Sequence, residues 1–80
     1  MSQNDAGGFY EALGRALSKA RDDRGYTQAQ FARALGIAQS TYGGYEAAQR
    51  KIPVNMLKKA ADKLNVSVDS LLLQSTSGKE

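Results

Sequence analysis

The chain has no cysteine and no histidine among its 80 residues. That inventory excludes disulfides, zinc sites built from Cys and His, and the Ser-His and Cys-His pairs of nucleophilic catalysis. Any core must therefore be held by packing alone. Long apolar runs are also missing: no segment approaches the roughly 18 consecutive apolar residues of a membrane span. Residues 1–8 (MSQNDAGG) lack the charged start and apolar run of a secretory signal. The expectation is a cytoplasmic protein with no membrane contact.

Catalytic patterns are equally scarce. Asp22 and Asp23 are neighbours in sequence and so diverge on a helix, where only residues three or four apart face each other. No glycine-rich phosphate loop follows a strand pattern. Neither an enzyme nor a metal or cofactor site is expected.

A chain of this length accommodates one domain with a modest core. Its formal net charge of +3 is too small to identify a partner. The distribution says more, because Arg33, Arg50, Lys51, Lys58, Lys59 and Lys63 are opposed in that stretch only by Glu46 and Asp62. This is a weak polyanion-binding footprint.

Residues 1–8 and 74–80 are polar and offer little to bury, so they are expected to be a disordered arm and tail around a domain at 9–73. Leu13, Leu17 and Ala20 recur at helical spacing and Gly25 marks a stop, which predicts a first helix over residues 9–24. Thr27-Gln28-Ala29-Gln30 then has the spacing of a capping box, flanked by Tyr26 and Phe31 as a hydrophobic staple. Phe31, Ala32 and Leu35 form the apolar face of the second helix, Gly36 ends it, and Ile37 is expected to be buried in the turn. So short a connection to the next helix allows a steeply crossed pair and leaves room for nothing else.

Over residues 39–49 the aromatic positions Tyr42 and Tyr45 face one way, leaving Gln39, Ser40, Thr41, Gly43 and Gly44 free of core duty. Pro53 suits the first turn of a fourth helix, Leu57, Ala60, Ala61 and Leu64 form its stripe, and Asn65 can close it. Ser67 resembles the cap of a fifth helix, with Val66 and Leu71 in staple positions. The predicted class is all-α with five helices, and no internal repeat is present.

The segments TQAQFARALGIAQSTYGGYEAAQRKIP and LKKAADKLNVSVDSLL, within residues 15–73, closely resemble the Cro/C1 (XRE) family of helix-turn-helix domains. The shared features are the Thr-Gln start, Ala32 at the helix crossing, Gly36 in the turn between Leu35 and Ile37, and Tyr45 followed by Glu46. The resemblance implies a lambda-repressor-like five-helix domain whose helices two and three form the motif, over residues 27–50. It further implies a third helix laid in the major groove of double-stranded DNA and a second lying across the backbone.

By the same resemblance, Gln28 matches the glutamine that bonds a phosphate at a helix amino end. Gln39 and Ser40 match base-reading residues, and Gln is suited to bidentate pairing with adenine. Thr41 is within reach of a base or a thymine methyl, and Arg50 and Lys51 match phosphate-holding residues of the following loop. Arg21 and Glu46 match a structural salt bridge; Tyr42 and Tyr45 are expected in the core with hydroxyls reaching the surface, and Lys58, Lys59 and Lys63 on a solvated helix face.

Three positions depart from the family pattern. Ala38 stands where Ser or Thr caps the recognition helix, Ala48 where Gly is frequent, and Gly44 where many members carry a long polar side chain to the bases. Two readings of Gly44 follow: close approach of its backbone to DNA, or low specificity shifted to Gln39, Ser40 and neighbouring loops.

The function implied is a DNA-binding transcriptional regulator of bacterial or phage origin, repressing from a palindromic operator as a homodimer. Leu71, Leu72 and Leu73 cannot all face one core, which leaves surface for a partner. The alternative is a protein-interaction module, such as an antitoxin, whose main partner is another protein.

Overall fold

The computed structural model describes residues 4–76. They form five helices and no strand: α1 (Asn4–Asp23), α2 (Gln28–Leu35), α3 (Gln39–Glu46), α4 (Val54–Leu64) and α5 (Val68–Thr76). The all-α, five-helix architecture is the one expected. Helix α1 begins at Asn4, earlier than residue 9, since Gly7 and Gly8 add no apolar signal by which its first turns are read. Helix α5 likewise runs past Leu73 to Thr76. Residues 1–3 of the expected arm and 77–80 of the expected tail lie outside the described residues.

Local chemistry sets the boundaries of α2. The Thr27 hydroxyl accepts from the Gln30 amide at 3.0 Å, and the Gln30 side chain accepts from the Thr27 amide at 2.9 Å, closing the capping box. Outside the cap, Tyr26 packs on Phe31 with ring centroids 5.1 Å apart. At the other end Gly36 adopts φ +77°, the left-handed region in which a side chain is strained, and turns the chain toward α3. Ile37 in this turn is half-buried, short of the full burial expected. Pro53 is the N-cap of α4, one residue before the first turn in which it was expected. At α5 the Ser67 hydroxyl accepts from the Ser70 amide at 3.0 Å.

Helix α1 packs against α3 and α5, and α2 packs against α3 and α4. The largest fully buried side chains are Tyr42, Phe31, Leu13, Leu17, Leu35, Leu64 and Leu71. Complete burial of such a side chain is worth about 1.5–3 kcal/mol, so a core drawn from every helix holds the motif in place without covalent links. Among the described residues no helix is long and apolar enough to cross a membrane.

Candidate nucleic-acid interface

Helix α3 has two faces with different duties. Tyr42 and Tyr45 point inward, and the Tyr42 ring meets Phe31 edge-on with centroids 5.2 Å apart. At about 100° per residue, the direction opposite these tyrosines is occupied by Ser40, with Gly43 and Gly44 on its two flanks. Gln39 and Ser40 are exposed and Thr41 is half-buried. Ala38, the N-cap residue, has extended backbone angles and makes no side-chain hydrogen bond, so the opening amides of α3 lack a side-chain acceptor from the cap. The helix therefore presents short or flexible polar side chains from its first turn while its aromatic side anchors it.

Its last residue is fixed by a buried network. Glu46 accepts from Arg21 Nε at 2.7 Å and Nη2 at 3.3 Å, from Gln28 Nε2 at 2.8 Å, and from the Tyr42 hydroxyl in a short bond. Arg21 spends Nη1 on the Tyr26 carbonyl at 2.7 Å. The side chains of Arg21 and Glu46 are only 12% and 7% exposed, so this pair is largely removed from water. Burial opposes ionisation of Glu46, but the donors Arg21, Tyr42 and Gln28 outweigh it and hold the carboxyl below its ordinary range. Burial, followed by the bond to Glu46, pushes the Tyr42 phenol far above its ordinary range. The Tyr42 hydroxyl thus ends inside the network and not at the surface as expected.

Gln28, the expected phosphate ligand, is half-buried and uses one amide hydrogen on Glu46. A primary amide has two, so the second remains for a ligand while the first fixes the side chain's direction. Its Oε1 lies 3.4 Å from where a Cβ on Gly43 would be, an ordinary contact. On the other side of α3, Gly44 is covered by Arg50: a Cβ there would sit 2.9 Å from Arg50 Cδ and 3.1 Å from Cγ. The Gly44 carbonyl accepts from the amides of Gln49 at 2.9 Å and Arg50 at 3.1 Å, bending the chain back across the end of the helix. Lys51 is exposed, with its ammonium 5.6 Å from the centre of the Tyr10 ring on α1.

Two supports of this surface were not read from the sequence. Lys59 on α4 donates to the Leu35 carbonyl at 2.9 Å, capping the C-terminal end of α2 where a cation suits the helix dipole. It is not simply a solvated lysine. Gly14 on α1 lies against the end of α3, where a Cβ would come within 2.2 Å of the Glu46 carbonyl oxygen. The absence of a side chain is what lets α1 approach there. The only sequence signal for this was a glycine inside a helix with no local reason to be one.

A helix pair joined by a short turn at Gly36, a second helix with polar residues turned outward, and a buried network tying the two are the parts of a helix-turn-helix domain. Residues 17–71 match the helix-turn-helix family HTH_3, and the chain belongs to this family, in its Cro/C1 type. Over 61 residues it is 43% identical to the uncharacterized HTH-type transcriptional regulator YazB of Bacillus subtilis, covering 76% of this chain and 88% of YazB. It is 38% identical over 61 residues to the HTH-type transcriptional regulator ImmR of the same organism, covering 76% of this chain and 48% of ImmR. The chain thus spans about half the length of ImmR, and 50% and 56% of the regulators YobD and YonR. A crystal structure of the clp gene regulator ClgR from Corynebacterium glutamicum superposes with a TM-score of 0.82 at 25% identity, over 90% of this chain and 94% of that one.

Proposed function

We propose that the chain is a sequence-specific regulator that represses transcription from a palindromic operator as a homodimer. The observation that carries this is the exposure of Gln39 and Ser40 on α3 while Tyr42 and Tyr45 are buried beneath them. A helix presented in this way enters the major groove with its amino end toward base edges. Gln39 pairs with adenine, Ser40 and Thr41 read neighbouring edges, and Gln28 and the loop cation Lys51 engage the backbone beside them. Membership in a family of transcriptional regulators supports DNA as the partner.

Leu73, 65% exposed on α5, supplies apolar surface for a second copy. Two copies read half-sites about 34 Å apart on one face of the duplex. Selection of bound duplexes from a random pool tests the reading: a palindrome with half-sites one helical turn apart is expected. Absence of salt-sensitive affinity for any duplex, even at low ionic strength, rejects it. Sedimentation with and without the selected duplex reads the dimer, and placing that duplex across a promoter reads repression.

A further inference from the structure

Helix α3 carries no long side chain on the groove side beyond Gln39, because residues 43 and 44 are both glycine. The space is nonetheless filled. Gly44 lies one turn after Ser40 on the side opposite the buried tyrosines, where a bare glycine is open to solvent, yet it is buried. What covers it is the aliphatic stem of Arg50, with Cγ, Cδ and Nε at 3.1, 2.9 and 3.4 Å from the position of the missing Cβ. The backbone prepares this return, since the Arg50 amide is bonded to the Gly44 carbonyl itself. The guanidinium therefore begins where a long side chain grown from position 44 would run. Among the described residues it pairs with no carboxylate: the ion pairs there are Lys19 with Asp23 and Arg21 with Glu46.

Resting on the DNA-binding reading above, we propose that Arg50, seated across Gly44, is the base-reading side chain that α3 itself lacks, and that it recognises a guanine in each half-site. Arginine's fixed fork of donors matches guanine O6 and N7 in bidentate fashion. A stem packed against the helix is pre-ordered for this, so less side-chain freedom is lost on binding. Gly44 then has a definite duty: it is the seat that brings a loop cation onto the reading face. Of the two accounts of Gly44 open from sequence, close approach of its own backbone is blocked by the covering side chain, and the loop account gains a named residue.

The test uses the full chain, the duplex selected by the wild-type protein, a scrambled duplex and a random pool. Arg50→Ala is expected to weaken the selected duplex about 5- to 150-fold more than the scrambled one, and to erase a guanine from the selected consensus. Arg50→Lys retains the charge without the fork and is expected not to restore that guanine. Gly44→Ala, which obliges the flexible Arg50 stem to move, is expected to blur the same position while the helical circular dichroism stays that of the wild type.

Equal losses on both duplexes, a salt slope reduced by about 1 and rescue by lysine would make Arg50 a phosphate contact and overturn the proposal. A wild-type protein that binds duplexes without sequence preference overturns it while leaving DNA binding intact. One that binds no duplex removes both readings.

Discussion

Arg21 on α1 and Glu46 at the end of α3 lie 25 residues apart in sequence and meet side-on, with Nε 2.7 Å from Oε2 and Nη2 3.3 Å from Oε1. Both Glu46 oxygens are shared, one with the Tyr42 hydroxyl and the other with the Gln28 amide. The pair therefore does more than join two helices. It fixes the end of α3, closes over the fully buried Tyr42, and orients the side chain at the amino end of α2. Scaffold and candidate phosphate contact share one carboxylate.

Removing one partner should accordingly cost much more than a surface ion pair is worth. Arg21→Ala leaves a carboxylate that is 7% exposed without its cation, a change that typically costs about 3–5 kcal/mol. Replacing Lys19 in the exposed Lys19–Asp23 pair should cost less than about 1 kcal/mol. Urea denaturation of the two variants measures the contrast, and equal midpoints would place the Arg21 pair with the surface ones.

The same network sets a pH dependence. The Glu46 carboxyl is held below its ordinary range in the folded chain, so its contribution is fully present above the unfolded pKa. It is lost as pH falls through the lowered folded value. Unfolding free energy should thus decline as pH drops below about 4.3, the ordinary value for an unfolded glutamate. Glu46→Gln should flatten that part of the profile while lowering stability at neutral pH. An unchanged acid slope in this variant would exclude Glu46 as its source.

Features that depend on neighbours in sequence were legible, and those that depend on distant partners were not. Thr27 with Gln30, Gly36, Asn65 and Ser67 mark helix ends by chemistry acting over three or four residues, and so they can be located before any fold is known. The stripes of α2 and α4 yield the buried faces in the same way. Gln28 lies 18 residues from Glu46, and Lys59 lies 24 from the carbonyl it caps. Nothing local distinguishes either from a solvated polar residue. The glycine pair on α3 was visible as a gap in the reading surface, but what fills it is set by the path of the chain after Ala48.

Helix α3 starts on Ala38, whose φ of −68° and ψ of 147° are those of an ordinary N-cap, without any side-chain acceptor. Serine fits these angles and supplies the missing oxygen. Ala38→Ser should therefore stabilise the domain by about 1 kcal/mol, seen as a rise in thermal midpoint. No change would mean that the exposed amides of the first turn are already well served by water.

Beyond α3 the chain turns at Ala48, which holds φ +61° in the left-handed region despite carrying a Cβ. Alanine is strained there by about 1–2 kcal/mol, while glycine enters the region freely but loses more freedom on folding. The balance favours Ala48→Gly by about 0.5–1 kcal/mol. Gly36→Ala, at φ +77°, should be destabilising by a comparable or larger amount. Thermal melts of both variants test the pair of signs, and stabilisation by both would contradict the assigned backbone angles.

Gly14 presents the opposite case, a glycine inside a helix whose replacement by alanine would ordinarily stabilise by about 1 kcal/mol through helix propensity. Here the added Cβ would lie 2.2 Å from the Glu46 carbonyl oxygen and 2.9 Å from that of Tyr45, backbone atoms that cannot swing aside as a side chain can. Helices α1 and α3 must separate, straining the Arg21–Glu46 pair that bridges them. Overpacking of this kind costs about 1–3 kcal/mol and should outweigh the propensity gain. Because α3 is the element displaced, duplex affinity should fall even at temperatures where Gly14→Ala remains folded. Gly8→Ala, with nothing within 4 Å of the added Cβ, should show neither effect. If Gly14→Ala instead matches Gly8→Ala in both melting and binding, the close approach of α1 to α3 is not what positions the recognition helix.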